Sequence, residues 1–159
     1  IKTELSLLRK VGAKIKLAKN QIHISGPKKL KNLSNLVTKE YPNFPTDLQA
    51  QFMVLLCKAK GKSSITESIF ENRFMHVAEL RRLGAEILIK KNKAFISGDT
   101  NFQAAELMSS DLRASVALVL AAIVAKGSSV INRIYHLDRG YENIENKLKK
   151  VGVNIRRIS

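Results

Sequence analysis

Two aspartates and three arginines are the residues of this 159-residue chain whose types and spacing suit a chemical role. Asp47 opens the string Asp-Leu-Gln-Ala, and Asp111 opens the string Asp-Leu-Arg-Ala 64 positions later (111 − 47 = 64), with Arg113 inside it. Arg73 and Arg139 each follow one string and each precede a predicted helix. An arginine presents a planar, permanently charged fork that fits carboxylates and phosphates. Because equivalent positions of a repeat face one end of a stack, we predict that Arg73 and Arg139 share a cleft for an anionic ligand.

The same residues also have purely structural interpretations. An aspartate at a helix start, such as Asp47 or Asp111, caps the helix and stabilises its dipole. Thr46 and Gln49 have the spacing of a capping box. Arginines commonly form surface ion pairs of small worth, and Asp111 with Arg113 would make a cap and an ion pair on one helix. From these residues alone, the capping role of Asp47 is the commoner one.

The elements that would position these residues occur more than once. Each aspartate string is followed by an apolar helix, a Lys-Gly pair, a short β-branched run, an amphipathic helix and a glycine before a strand. A cut-off third copy begins the chain, where Ile22–Gly26 answers Ala94–Gly98. A fixed period predicts stacked supersecondary units that bury their apolar faces against one another. We therefore predict a single domain, residues 1–159, that contains a partial unit (1–26) and two fuller units (33–98 and 104–159).

Hydrophobic periodicity predicts the helices and strands of each unit. The predicted helices are 1–11, 46–60, 76–83, 110–125 and 141–150, and the predicted strands are 14–18, 21–25, 34–38, 63–67, 86–90, 94–97, 105–108, 129–132 and 153–157. The segment Val116–Ala125 is apolar all round, which predicts burial on all sides. The chain is therefore expected to be an α/β protein with helices at its centre and sheets outside them.

The composition limits the partners and the compartment. The net charge of +15 favours anionic partners. The chain has no tryptophan and no basic helix with interleaved aromatics, so a nucleic acid is not the expected partner. No apolar run is long enough to span a bilayer, so no membrane is expected either. Cys57 is the single cysteine and lies among apolar residues, which fits a reducing compartment. The isolated histidines and the lack of a Gly-rich phosphate loop give no reason to expect a metal or a cofactor.

Four strings of the sequence resemble those of one enzyme family. They are FPTDLQAQF (44–52), ESIFENRFMHVAELRRLGA (67–85), SSDLRAS (109–115) and NRIYHLDRGYENIENKL (132–148). Through them the chain resembles the bacterial UDP-N-acetylglucosamine enolpyruvyl transferases over nearly its whole length. The resemblance implies an inside-out α/β barrel built from repeated βαβαββ units, the enolpyruvyl transferase fold, here with an incomplete set of units.

The resemblance also implies a partner and a reaction. The chain would be most of the second of two domains, and the N-terminal domain of the same protein would supply the catalytic cysteine, a lysine–asparagine pair and further arginines. The implied reaction transfers the enolpyruvyl group of phosphoenolpyruvate to the 3-hydroxyl of UDP-N-acetylglucosamine, by addition and then elimination. This reaction is the first committed step of peptidoglycan synthesis and takes place in the cytoplasm, without a cofactor. The chain alone is expected to be inactive, because half of the active site would be absent.

Asp47 has the most specific implied role. It matches the family's aspartate that holds the sugar hydroxyl and is proposed as its base, and Thr46 is expected to assist. A helix N-terminus favours the charged form of a carboxylate and so makes it a weaker base. We therefore expect Asp47 to position the hydroxyl more than to deprotonate it.

Five further positions carry roles that the resemblance implies. Arg139 matches the arginine that binds phosphoenolpyruvate, and Arg73 matches a second active-site arginine. Arg113 is expected near the phosphoenolpyruvate site, and Asp111 is expected to orient its neighbours or to assist turnover as a catalytic residue. Ile69 matches a position whose backbone contacts the uridine diphosphate portion of the sugar nucleotide.

Two other functions stay open. The enolpyruvyl-shikimate-phosphate synthases share the fold and the repeat, but their characteristic strings are different. A basic RNA-binding module is the alternative from another class, and it predicts binding that weakens steeply with salt and tolerates any sequence. The transferase interpretation differs by predicting that Arg73, Arg113 and Arg139 gather at one end of the barrel.

Overall fold

A computed structural model describes residues 1–158 of the chain. The helices are α1 (Lys2–Lys10), α2 (Gln49–Lys58), α3 (His76–Arg82), α4 (Leu112–Ile123), α5 (Tyr135–Asp138) and α6 (Ile144–Lys149), and a 3-10 helix (Thr46–Leu48) leads into α2. The strands are β1 (Lys14–Ala18), β2 (Gln21–Ser25), β3 (Leu36–Val37), β4 (Lys62–Thr66), β5 (Ile87–Lys90), β6 (Lys93–Ser97), β7 (Glu106–Met108) and β8 (Val130–Asn132). Within this range no helix combines the length and the apolar character that crossing a membrane requires.

Helices α2 and α4 form the centre of the fold because both are apolar on most sides. Met53, Leu56 and Cys57 of α2 and Ala117 and Leu118 of α4 are fully buried. Helix α2 packs on α4 and on strands β4 and β6, and α3 packs on α4 from another side. Burial of this apolar surface is the main favourable contribution to folding. The prediction of central helices with sheets outside them is confirmed.

Parallel strand pairs bring the loops of interest to one edge of each sheet. The larger sheet has the order β3-β4-β6-β5, in which β3 runs parallel to β4 and the other pairs are antiparallel. Strands β7 and β8 form a second parallel pair, and β1 and β2 form a separate hairpin. The carboxyl ends of parallel strands meet at one edge, where β3 leads into Thr38, β4 leads into Glu67, and β7 leads towards Asp111.

The structure differs from the sequence prediction near the carboxyl end. Residues 153–157 are irregular, although their alternation predicts a strand. A strand needs a hydrogen-bonded neighbour, and the repeat equivalent of this segment, β5, pairs with β6 alone. No counterpart of β6 exists within the described residues. The predicted helix 141–150 is also shorter, because Asn143 has a left-handed backbone (φ 47°) that starts α6 late.

Two apolar surfaces, one on α4 and one on β2, are exposed within residues 1–158. Leu120, Ile123 and Val124 are exposed on one side of α4, so the prediction that this helix is buried all round is wrong there. Ile24 on β2 is 56% exposed, whereas its repeat equivalent Ile96 on β6 is 1% exposed. Helix α2 covers β6, whereas α1 is the helix that packs on β1. The difference between the two hairpins therefore arises from the helix that packs on each.

Cys57 is expected to be chemically inert in the folded protein. It is fully buried in α2, and burial raises the pKa of its thiol to about 12, with a hydrogen bond to Thr100 opposing the rise. Since the thiolate is the reactive form, a disulfide reagent at mildly alkaline pH should leave the native chain unlabelled. Addition of urea should expose one thiol per chain. Rapid labelling of Cys57 before the unfolding transition would contradict this expectation.

Candidate functional site

Asp47 lies between two arginines at the edge where the parallel strands end. Its Oδ1 accepts a hydrogen bond from Arg113 Nε at 2.5 Å and another from Arg73 Nη2 at 3.5 Å. Asp47 belongs to the 3-10 helix and makes no capping hydrogen bond. The structure therefore brings together one carboxylate and two guanidinium groups from three separate parts of the chain, and Asp47 does not have the capping role that its local sequence favours.

The carboxylate of Asp47 is accessible to a ligand. Its side chain is 61% exposed, and the arginine side chains are 23% exposed at Arg73 and 38% exposed at Arg113. Ion pairs this exposed contribute little to stability. Both arginines use Oδ1, so within residues 1–158 the second oxygen, Oδ2, has no protein partner. This oxygen can accept a hydrogen bond from a ligand hydroxyl that enters beside the two cations.

Asp111 does have the capping role. Its Oδ1 accepts hydrogen bonds from the backbone N–H groups of Arg113 at 2.8 Å and Ala114 at 3.0 Å, at the start of α4. Burial raises the pKa of Asp111, but these two N–H groups, the Ser110 hydroxyl and the nearby His76 outweigh that effect, so the pKa lies below its usual range. Asp111 is thus an ionised cap that also holds the backbone of Arg113 beside Asp47.

Thr46 does not form the capping box that its spacing with Gln49 predicts. Its hydroxyl donates to Glu67 Oε2 at 2.8 Å, and the N-cap of the helix makes no side-chain hydrogen bond. Glu67 is 2% exposed and also accepts hydrogen bonds from Thr38 and from two backbone N–H groups. Sequence reasoning missed Glu67, because its partners lie far away in the chain and no spacing rule connects them. Its only sequence signal was a carboxylate at the end of a β-branched strand.

A cavity of about 210 Å³ is lined by both of the arginines that pair with Asp47. Its walls include Thr46, Gln49, Arg73, His76, Asp111 and Arg113. Several polar atoms of these walls are buried and have no hydrogen-bond partner among the described residues, namely Gln49 Nε2 and Oε1, Arg73 Nε and His76 Nε2. Burial lowers the pKa of His76 to about 4, with Asp111 opposing the fall. The cavity therefore offers donors and acceptors to a polar ligand, with a neutral imidazole at neutral pH.

A larger cleft of about 750 Å³ adjoins this cavity and is lined mainly by residues 67–75. Ile69, Lys91 and Asn92 are also among its lining residues. Arg73 belongs to both spaces, and its guanidinium lies 4.5 Å from the centre of the Phe70 ring. Such stacking fixes the plane of the guanidinium. The two spaces are therefore neighbours that share Arg73 as a wall residue.

Arg139 lies apart from the other arginines. It is exposed after α5 and makes none of the contacts that join Arg73 and Arg113 to Asp47. The next residue, Gly140, packs so closely on Leu112 that an added Cβ would lie 3.0 Å from the leucine methyl groups. Arg139 is thus beside the start of α4, and its role in a shared cleft stays a prediction. Across residues 1–158, no three His, Cys, Asp or Glu side chains are grouped in a way that could hold a metal ion.

The family model and the curated relatives that match this chain are all carboxyvinyltransferases. The family model for EPSP synthase (3-phosphoshikimate 1-carboxyvinyltransferase) matches residues 1–148. The chain is 67% identical over 159 residues to the UDP-N-acetylglucosamine 1-carboxyvinyltransferase of Pelagibacter ubique (strain HTCC1062), covering 100% of this chain and 38% of the relative. It is 50% identical over 159 residues to the enzyme of the same name from Desulfosudis oleivorans, with the same two coverages. The chain thus spans 38% of the length of these curated relatives.

Solved structures share the fold. The enolpyruvyl transferase NikO from Streptomyces tendae superposes with a TM-score of 0.88 at 26% identity, over 98% of this chain and 36% of that one. An EPSP synthase from Acinetobacter baumannii superposes with a TM-score of 0.73 at 16% identity, over 99% of this chain and 37% of that one, which concerns the fold alone. The mixed α/β architecture predicted from the sequence is therefore that of the enolpyruvyl transferases.

Proposed function

Because the chain belongs to the EPSP synthase family, we propose that it is part of a UDP-N-acetylglucosamine 1-carboxyvinyltransferase. The substrates are then UDP-N-acetylglucosamine and phosphoenolpyruvate, and the reaction is the first committed step of peptidoglycan synthesis, in the cytoplasm. The observation that carries the proposal is the accessible Asp47 carboxylate, which is paired with Arg73, a residue that lines both spaces, and with Arg113, which lines the smaller one. The 67% identity to a relative of that name supports the choice of substrate over the shikimate alternative.

The geometry supports separate roles for the carboxylate and the arginines of the site. Asp47 accepts a hydrogen bond from the sugar 3-hydroxyl and orients the hydroxyl oxygen towards the enolpyruvyl carbon with which it forms a bond. Arg113 and Arg73 supply positive charge for the carboxylate of phosphoenolpyruvate and for its phosphate, which gains negative charge as it leaves during elimination. Arg139, which lies beside the start of α4, is the further arginine that we propose for the same anion. An acid for the methylene carbon comes from the part of the protein that corresponds to the other 62% of the relatives' length (100 − 38 = 62).

The larger cleft is proposed as the place of the uridine diphosphate portion. Its volume of about 750 Å³ is within the range of small-molecule sites. Ile69 and Lys91 both line this cleft, and the Lys91 ammonium would supply a cation for the diphosphate. The sugar would then lie towards Asp47, at the junction marked by Arg73.

A nuclear magnetic resonance titration tests the proposal. Addition of UDP-N-acetylglucosamine to the ¹⁵N-labelled chain should shift the amide signals of Asp47, Ile69 and Arg113. Asp47→Ala should weaken this binding by about tenfold or more, because a hydrogen bond to a charged acceptor is lost. The matched control is Glu86→Ala, which removes an exposed carboxylate outside both spaces and should bind as the wild type does.

The same titration distinguishes the alternative substrate. Shikimate 3-phosphate, added in a parallel series, should cause smaller shifts than the sugar nucleotide. A preference for shikimate 3-phosphate would assign the chain to the sister activity. Equal weak shifts with both ligands in wild type and Asp47→Ala would remove Asp47 from the site.

A further inference from the structure

We infer that Glu67 is a positioning residue that orients the Thr46 hydroxyl as a hydrogen-bond acceptor for the substrate and holds the loop wall of the larger cleft. This inference rests on the proposed function for the identity of the ligand. Glu67 is not among the site residues that the sequence analysis predicts.

Glu67 is buried and is surrounded by neutral donors. Its Oε1 accepts from the Thr38 hydroxyl at 2.7 Å and from the backbone N–H groups of Ile69 at 3.0 Å and Phe70 at 3.3 Å. Its Oε2 accepts from the Thr46 hydroxyl at 2.8 Å. Within the described residues no cation pairs with this carboxylate, so the four donors are what compensates its burial. Because burial of an unpaired carboxylate is unfavourable, Glu67 is tolerated here only while these four hydrogen bonds are made.

The bond to Thr46 determines which way its hydroxyl points. A hydroxyl has one hydrogen and two lone pairs, whereas an ionised carboxylate can only accept. The hydrogen of Thr46 is therefore committed to Glu67, and lone pairs face the cavity that Thr46 lines. A ligand group that touches Thr46 must donate a hydrogen bond. Sugar hydroxyl and amide groups can do so, whereas ionised phosphate and carboxylate oxygens cannot.

Thr46 and Asp47 then form a pair of adjacent acceptors beside two arginines. The acceptors bind the hydroxyl and amide donors of the sugar, whereas Arg73 and Arg113 bind the carboxylate and phosphate of phosphoenolpyruvate. A site with both kinds of group in contact sorts the two substrates by hydrogen-bond polarity. Glu67 maintains this sorting although it does not touch a ligand itself.

The other oxygen of Glu67 organises the larger cleft. By accepting from Ile69 and Phe70, it fixes the turn after β4 that forms one wall of that space. Phe70 carries the ring against which Arg73 stacks at 4.5 Å. One carboxylate therefore connects Thr46 on one side with the Ile69 backbone and the Arg73 platform on the other.

Glu67→Gln tests the direction of the Thr46 hydrogen bond, because glutamine has nearly the same shape as glutamate but can donate as well as accept. The glutamine oxygen can still accept from Ile69 and Phe70, whereas its amide nitrogen faces Thr46 and donates. The Thr46 hydrogen would then turn towards the cavity and meet the donor of the ligand. We expect UDP-N-acetylglucosamine binding to weaken by about tenfold, while the thermal midpoint stays close to that of the wild type. The control Glu86→Gln removes the same charge at an exposed site and should change neither quantity.

A double-mutant cycle separates the effect on Thr46 from a general structural effect. In a Thr46→Val background, Glu67→Gln should weaken binding by less than about twofold, because no hydroxyl remains to be reversed. An undiminished tenfold loss in that background, or wild-type affinity of Glu67→Gln alone, would overturn the inference.

A measurement without ligand separates this inference from the proposed function. In the wild-type chain the Thr46 hydroxyl proton should exchange slowly enough to be detected by nuclear magnetic resonance, and Glu67→Gln should abolish that signal while the Ile69 and Phe70 amides remain protected. A fast-exchanging Thr46 hydroxyl in the wild type would refute the orientation, whatever the ligand. A protected hydroxyl in a chain that ignores UDP-N-acetylglucosamine would support the orientation and count against the proposed ligand.

Discussion

Replacement of Gly98 by alanine is expected to destabilise the fold by about 3 kcal/mol or more. A Cβ on Gly98 would lie 1.8 Å from the carbonyl oxygen of Ala59 and 2.4 Å from that of Gly61. These are backbone atoms, and they are fixed by hydrogen bonds from Gly98 N to Gly61 O and from Asp99 N to Ala59 O, both 2.8 Å long. A methyl group can be accommodated only if the end of β6 separates from the segment after α2. At least two backbone hydrogen bonds would then be lost.

Urea unfolding followed by circular dichroism measures this effect, and the repeat supplies the control. Gly26 follows β2 as Gly98 follows β6, and an added Cβ at Gly26 would have no atom within 4 Å. Gly26→Ala should therefore remain within about 0.5 kcal/mol of the wild type. Equal midpoints for the two alanine variants would show that the close approach at Gly98 does not limit stability. Loss of the unfolding transition in Gly98→Ala alone would be the extreme form of the expected result.

The same pair of glycines explains what a repeat can and cannot predict. The match of Ile22–Gly26 with Ala94–Gly98 predicted two hairpins, and both exist, because alternation and turn residues are local signals. The environments of the hairpins differ, since one is covered by α2 and the other is not. Sequence periodicity therefore located the elements, whereas neighbours distant in the chain determined which apolar faces are buried.

Asp47 and Asp111 make the same point within the site. Both open an Asp-Leu-x-Ala string, and local rules give both a capping role. Only Asp111 caps, because a regular α-helix begins next to it, whereas Asp47 lies in a 3-10 helix and is paired with Arg73 and Arg113. The repeat was enough to suggest that these charged groups face one end of the fold. Which groups touch depended on tertiary structure that no local pattern encodes.

Glu67 was not predictable from the sequence for a related reason. Its hydroxyl partners Thr38 and Thr46 are 29 and 21 positions away, and they belong to no motif with a fixed spacing. Propensity rules describe neighbours three or four positions apart on a helix or opposite each other in a sheet. A buried carboxylate at the end of a strand becomes recognisable only when its donors are counted in three dimensions.

Acidification from pH 7 towards pH 4.5 is expected to reduce the stability of the fold through His76. Burial lowers the pKa of His76 to about 4, below its ordinary value of 6.5, with Asp111 opposing the change. Between these two values the unfolded chain binds a proton that the folded chain does not, so stability falls as the pH falls. Each pKa unit is worth about 1.4 kcal/mol, which makes the full contribution roughly 3 kcal/mol. It is present above pH 6.5 and is lost on the way to pH 4.

Urea unfolding midpoints at a series of pH values measure this contribution, with His76→Gln and His23→Gln as paired variants. His76→Gln should remove most of the slope between pH 6.5 and 4.5, whereas His23→Gln, at an exposed position on β2, should keep the wild-type slope. The series stops at pH 4.5 so that Asp111 stays ionised throughout. The pKa of Asp111 is lowered, so the loss of its helix cap would affect stability only in more acidic solution. Parallel slopes in wild type and His76→Gln would place the acid sensitivity elsewhere. The expected slope would mean that the imidazole facing the cavity is uncharged at neutral pH, so that Arg73 and Arg113 are the cations among its described walls.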